Sequence, residues 1–378
     1  MNSQTNSPAL FFEDLLDDPA NHLIESAADQ EKIPIGYTCS YVPEVLLSVE
    51  PLIPVRVRAP HVPGTEVADI YLSSVICSYT RSVLELAMDD RYHFLQGWVF
   101  AASCDHMRRL YDNLKYLNPP EFLHILDVPH RQGAVSLSWY TDELNMLADR
   151  LSDHHPVRFT HEAMSRAVRE RNEFFALLAS IGELRKQKHP PLSGTEFQAI
   201  TLASLVTPRQ TLLPKIQKFK ESLSGRNGIS DYRARILLVG GQMDSLGFIR
   251  TIEATGGLIV ADHLCTGSLP AMRPVSMNDD PMQSIAAHYL NRVSCPRMME
   301  AFDSRVEEIL KSVEEYSVDG VVIEFIKFCD TWGIEAGLMA NALRKKGIPV
   351  LCLEREYQLS GEGQLRTRIQ AFIESMGK

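Results

Sequence analysis

The chain has no pair of cysteines at CxxC spacing. That removes zinc ribbons, ferredoxin-type cluster runs and thioredoxin-type dithiols. It has no GxxxxGK[ST] segment, and hence no phosphate-binding loop of the NTPase kind. No GxGxxG follows an apolar run, and there is neither a Gly-x-Ser-x-Gly elbow nor an HExxH pair. No run of about 18 or more apolar residues occurs, so no membrane span is expected. Met1 to Phe12 lacks a basic segment ahead of a long apolar core, so it does not read as a secretory signal. Positive charge is scarce: 38 Lys and Arg stand against 48 Asp and Glu, a net charge of −10. A nucleic-acid binder needs a basic surface to displace counterions, so that class is disfavoured, although a local basic pocket for an anion is compatible. A cytoplasmic protein is expected.

What is present is ordinary globular material. The 378 residues are 45% hydrophobic and 23% charged, enough for two domains with their own cores. The seven cysteines, from Cys39 to Cys352, are odd in number and widely spread, which argues against a secreted disulfide framework.

The apolar pattern divides the chain. After an acidic, helical start to about Lys32, short runs at Ile35–Thr38, Val55–Val57, Gly97–Ala101 and Phe122–Val128 read as strands. A helix is expected to open at Tyr41-Val42-Pro43-Glu44, another to span Val67–Met88, and another to begin near His106. From about Tyr140 to Ser222 the signal is helical, broken at His189-Pro190-Pro191 and Pro208. Strands return at Arg235–Val239, Leu258–Ala261, Gly320–Phe325 and Pro349–Leu353, with helices between them. Strands alternating with helices imply parallel sheets covered on both faces. The expected fold is α/β: two Rossmann-like (flavodoxin-like) lobes joined by a helical segment. The expected divisions are residues 1–150 (N-terminal lobe with its helical extension), 151–232 (connector) and 233–378 (C-terminal lobe).

Ligands of open parallel sheets bind beyond the carboxyl ends of the strands, and this sorts the cysteines. Cys104 and Cys329 each follow a strand, precede an Asp and lead into a helix, as if two facing lobes each offered one thiolate. A helix N-terminus is expected to lower such a thiol's pKa. Within the expected Val67–Met88 helix, the apolar stripe is Leu72, Val75, Ile76, Tyr79, Val83 and Leu86. Cys77 falls off that stripe, beside Ser73, Ser74 and Arg81, where the guanidinium would favour its thiolate. Cys352 sits inside a strand and fits simple packing. Cys39 and Cys265 follow strands near the cleft, and Cys295 lies in a loop. The adjacent His154-His155 reads as a surface feature. Gly240-Gly241 and Gly361-Glu362-Gly363 read equally well as turns or as anion-holding backbone.

Several segments resemble the 2-hydroxyacyl-CoA dehydratase family, which includes the ATP-dependent (class I) benzoyl-CoA reductases. They are the runs 36–44 (GYTCSYVPE), 77–82 (CSYTRS), 103–105 (SCD), 261–268 (ADHLCTGS), 319–330 (DGVVIEFIKFCD), 347–350 (GIPV) and 361–374 (GEGQLRTRIQAFIE). The resemblance spans essentially the whole chain. It implies one subunit of a heterodimeric catalytic component, with a [4Fe–4S] cluster between its lobes on Cys77, Cys104 and Cys329. Cys39 and Cys265 would neighbour the cluster. It further implies a homologous second subunit, a separate ATP-hydrolysing iron–sulfur activator and an acyl-CoA substrate. The family's chemistry is one-electron reduction of a CoA thioester to a ketyl, followed by loss of a β-hydroxyl or by reduction of an aromatic ring. The 77–82 run, with Glu354-Arg355-Glu356-Tyr357 and Gly361-Glu362-Gly363-Gln364, inclines toward the benzoyl-CoA reductase branch. A 2-hydroxyacyl-CoA dehydratase subunit and a non-catalytic electron-relay subunit are the alternatives.

Overall fold

The computed structural model describes residues 9–267, 272–358 and 361–377. Eight short apolar runs form its strands. β1 (Ile33–Tyr37), β2 (Leu52–Arg56), β3 (Gly97–Ala101) and β4 (Leu123–Leu126) make one sheet. β5 (Ala234–Gly240), β6 (Gly257–His263), β7 (Gly320–Ile326) and β8 (Val350–Arg355) make the other. Every pairing is parallel, and the order is the same in both sheets: β2-β1-β3-β4 and β6-β5-β7-β8. β1, β3, β5 and β6 are buried at every position, as suits strands with helices on both faces. The expected pair of parallel-sheet α/β lobes is therefore what the chain forms.

Between β4 and β5 run four helices, Ala134–His154, His161–Gly182, Gly194–Leu205 and Arg209–Leu223. The starts of the second and third are written locally. Thr160 Oγ1 accepts from the Ala163 amide, and Ser193 and Glu196 form a capping box. Among the described residues no helix is long and apolar enough to cross a membrane.

Two local expectations are corrected. The helix expected at Tyr41–Glu44 is absent, and only a short 3₁₀ turn, Leu46–Ser48, forms there. The helix expected over Val67–Met88 is broken: one turn spans Ala68–Tyr71, and the next helix is Ser78–Met88. Ser73 and Ser74 lie in the gap, where hydroxyl side chains compete with helical hydrogen bonds. The supposed stripe residue Val75 is 56% exposed, whereas Cys77 is 8% exposed.

One buried carboxylate ties the N-terminal lobe to its surroundings. Glu44 accepts from Arg171 Nε at 2.9 Å and lies 3.4 Å from Arg209 Nη2, both on the intervening helices. It also accepts from the Tyr289 hydroxyl. Burial opposes its charge, yet Arg171, then Arg209 and Arg292, hold the carboxyl down at about 2. Its stabilisation is present above the unfolded value of 4.5 and is lost as pH falls toward 2. Glu44→Gln should cost about 3–5 kcal/mol at neutral pH, because the buried guanidiniums lose their counter-charge. In urea melts the gap between variant and wild type should close as the pH is lowered from 4.5 toward 2.

Candidate metal centre

A crevice opens at the carboxyl edge of a parallel sheet where adjacent strands send their chains in opposite directions. The strand orders put that point beyond β1 and β3 in one lobe, and beyond β5 and β7 in the other. Cys39 follows β1, Cys104 follows β3 and Cys329 follows β7. The two lobes meet along these edges. Arg56 donates to Gln242 Oε1 at 2.8 Å, Ser40 Oγ to the Cys265 carbonyl at 2.7 Å, and Arg58 Nε to Asp244 Oδ2 at 3.2 Å. Tyr357 donates its hydroxyl to Asp244 at 2.5 Å, and its amide donates to Ser78 Oγ at 2.8 Å.

Cys77, Cys104 and Cys329 share one local geometry. Each is the N-cap of a helix: Ser78–Met88, Asp105–Leu117 and Asp330–Lys345. Each cysteine carbonyl accepts the first helical bond, from Arg81 at 3.3 Å, Arg108 at 3.2 Å and Gly333 at 2.8 Å. First-turn amides act electrostatically on the three sulfurs, although no side-chain capping hydrogen bond forms. The three segments meet across the cleft: His106, two residues after Cys104, accepts the Cys77 amide at 3.1 Å and faces Asp330, the residue after Cys329, at 3.6 Å.

Their acidity differs from expectation. Burial pushes Cys77 up to about 11 and Cys104 up to about 12, and it raises Cys329. Amides of Met107 and His106 at Cys104, and of Trp332 and Thr331 at Cys329, pull the other way but do not prevail. At Cys77 the opposing group is the Thr80 hydroxyl, 3.0 Å from the sulfur. Arg81 plays no part, because it turns to the Ile76 carbonyl, Thr65 and Asp69. Without a metal the three groups are neutral thiols at pH 7, and a metal must displace their protons.

Sequence reasoning missed His106. Its Nδ1 accepts the Cys77 amide at 3.1 Å, and its Nε2 faces Asp330 Oδ2 at 3.6 Å. Nothing in the run Cys104-Asp105-His106 announces a partner 29 positions upstream.

The other cysteines divide as well. Cys39, Cys265 and Cys295 form a second thiol group at the same seam. The hydrogen bond between Cys265 and Cys295 raises the former well above its usual value. The same bond, with Arg297 and Arg305 nearby and against burial, lowers Cys295. Cys352 packs half-buried against the helix Asp330–Lys345. His154 is exposed and His155 half-buried, and both rings rest against Phe122. Gly240 is dictated by close packing: a Cβ there would lie 2.5 Å from the Glu324 carbonyl oxygen. Gly361 takes a left-handed turn ahead of the helix Glu362–Ser375.

Among the described residues no three His, Cys, Asp or Glu side chains are drawn up as ligands of a single metal ion. Ligands of a polynuclear cluster each bind a different iron, so they stand farther apart than ligands of one ion. Three buried thiols, with the His106 imidazole engaged by the Cys77 amide and facing Asp330, suit a thiolate-held cluster.

The 2-hydroxyglutaryl-CoA dehydratase, D-component, family model matches residues 39–376. The chain belongs to that family. Among its relatives is the (R)-phenyllactyl-CoA dehydratase beta subunit of Clostridium sporogenes, 21% identical, with 98% of this chain and 100% of that one covered. A benzoyl-CoA reductase subunit of Thauera aromatica is 24% identical, with 92% of each chain covered. The (R)-2-hydroxyglutaryl-CoA dehydratase beta subunit of Acidaminococcus fermentans is 21% identical, over 92% of this chain and 93% of that one. The family thus includes both dehydratase and reductase subunits, and the resemblance read from the sequence holds at that level.

Behind the centre, Arg355 braces the strand ends of the C-terminal lobe. Its Nε donates to buried Glu324 at 2.8 Å, and its other nitrogens donate to the carbonyls of Gln242, Glu356 and Tyr357. Burial raises the Glu324 carboxyl against this pairing. Arg355→Met should cost about 3–5 kcal/mol in denaturant unfolding by stranding that carboxylate. Adding Glu324→Gln should recover part of the loss.

Proposed function

We propose that the chain is the iron–sulfur subunit of an enzyme acting on a CoA thioester, with a [4Fe–4S] cluster held by Cys77, Cys104 and Cys329. The observation that carries this reading is that three cysteines from two lobes, each capping a helix, lie on segments that meet at His106. Such a cluster, when bound, supplies a low-potential electron, and an iron without a cysteine supplies a Lewis-acid position. The protein's part is to bury the thiolates and to face their charge with helix-start amides. Cys39 and Cys265, with Cys295, would border the site.

A cavity of about 390 Å³ opens along the same seam, lined by Arg58, His61, Asp244, Arg250 and Tyr357 among others. It is of ligand-pocket size, and Tyr357 in its wall is held by Ser78, the residue after Cys77. The thioester end of the substrate would enter here. The relatives are named as subunits, which supports a homologous partner subunit. The lack of a phosphate-binding loop suits a division of labour with a separate ATP-hydrolysing iron–sulfur activator.

Within this chemistry the 77–82 run and Glu354–Tyr357 favour an ATP-dependent aromatic acyl-CoA (benzoyl-CoA) reductase. The family description favours a 2-hydroxyacyl-CoA dehydratase. Anaerobic assays with partner subunit, activator, ATP and reductant separate the two. Reduction of benzoyl-CoA is the expected result, and turnover of a 2-hydroxyacyl-CoA alone would transfer the chain to the dehydratases. No spectroscopic response to any thioester would make it an electron relay.

The ligand set has its own test. Anaerobically prepared protein should contain iron and acid-labile sulfide. Cys77→Ala, Cys104→Ala and Cys329→Ala should each lose the cluster, and Cys352→Ala should keep it. Full iron in Cys329→Ala would overturn the assignment.

A further inference from the structure

We propose that His106 is a positioning residue that keys the three cysteine-bearing segments to one another. This rests on the cluster reading above, and it adds a residue that is not itself a ligand. The residue is 7% exposed and sits two positions after Cys104, in the first turn of the helix that Cys104 caps. It touches each of the three segments by a different group. Its backbone amide acts on the Cys104 sulfur. Its Nδ1 accepts the Cys77 amide at 3.1 Å, and its Nε2 points to Asp330, the residue after Cys329, at 3.6 Å.

The contacts fix one another. Because Nδ1 is an acceptor, the ring hydrogen of the neutral imidazole is on Nε2, the atom that faces the Asp330 carboxylate. Asp330 is in the first turn of the C-terminal lobe's helix, so the ring spans the inter-lobe seam from within the N-terminal lobe. The Cys77 amide is a group that Ser78–Met88 cannot satisfy internally, since it precedes the helix. The exposed, non-helical stretch Ser73–Val75 precedes it, with only Ile76 between. Without the imidazole, the backbone that carries the third thiol has no helical bond to hold it at its N-terminal side. Cys104 and Cys329 need no such device, because each follows a sheet strand by three residues.

The role predicts effects on position rather than on ligand number. In metal-free protein, hydrogen exchange of the Cys77 amide should rise roughly tenfold in His106→Ala, the worth of about one buried hydrogen bond. His106→Asn sets an amide oxygen near the place of Nδ1 and should restore much of that protection. In the iron-loaded protein, His106→Ala should keep three thiolate ligands but change the electron paramagnetic resonance line shape and the reduction potential. It should also lose iron to a chelator several-fold faster. His106→Asn should move each reading back toward wild type, and a circular-dichroism melt serves as the folding control. If His106→Ala folds and matches wild type in amide exchange, spectrum and chelator loss, the positioning role is overturned. If the exchange change and its rescue appear but wild type takes up no iron, the clamp stands and the cluster reading falls.

Discussion

Everything at the centre depends on the direction of parallel strands. A parallel sheet releases every strand at one edge, and each following helix starts there with unpaired amides. Two sheets of identical order, set edge to edge, bring helix starts from both lobes to one crevice. A cysteine at the cap of such a helix is aimed at the crevice by the same turn that starts the helix. Cys104 and Cys329 gain their positions this way, one from β3 and one from β7. No separate scaffold is needed to direct them.

That economy sets an electrostatic condition, because the seam is dry and polar at once. Buried arginines meet carboxylates at the seam as Arg58 with Asp244, against the intervening helices as Arg171 and Arg209 with Glu44, and within the C-terminal lobe as Arg355 with Glu324. These are costly pairs to bury, and each holds because both partners are present. The thiols respond to the same dryness in the opposite sense. With no metal to take their electrons they remain protonated, and the helix-start amides only temper the rise. The seam thus disfavours bare thiolates and suits thiolates that are already bound.

Much of this was legible in the residues. All eight strands appeared as short apolar runs, because strands buried on both faces carry little else. Cys104-Asp105 and Cys329-Asp330 declared themselves through their place after a strand. Cys77 was mispositioned because Leu72, Val75 and Ile76 happen to continue the phase of Tyr79 and Val83 across a gap that is not helical. The acidity of the thiols was misjudged because a helix start is visible in a sequence and the depth of burial is not. The joining of Cys265 to Cys295, and of His106 to Cys77, rests on contacts between distant chain segments that no local pattern encodes.

The matching strand orders make Cys104 and Cys329 topological counterparts, since each follows the third strand of its sheet in chain order. Cys77 has no counterpart, since the C-terminal lobe offers no third capped cysteine among the described residues. A site built two-plus-one is handed. Two of the capped cysteines come from the N-terminal lobe and one from the C-terminal lobe. The seam has a front and a back even though the sheets that form it do not.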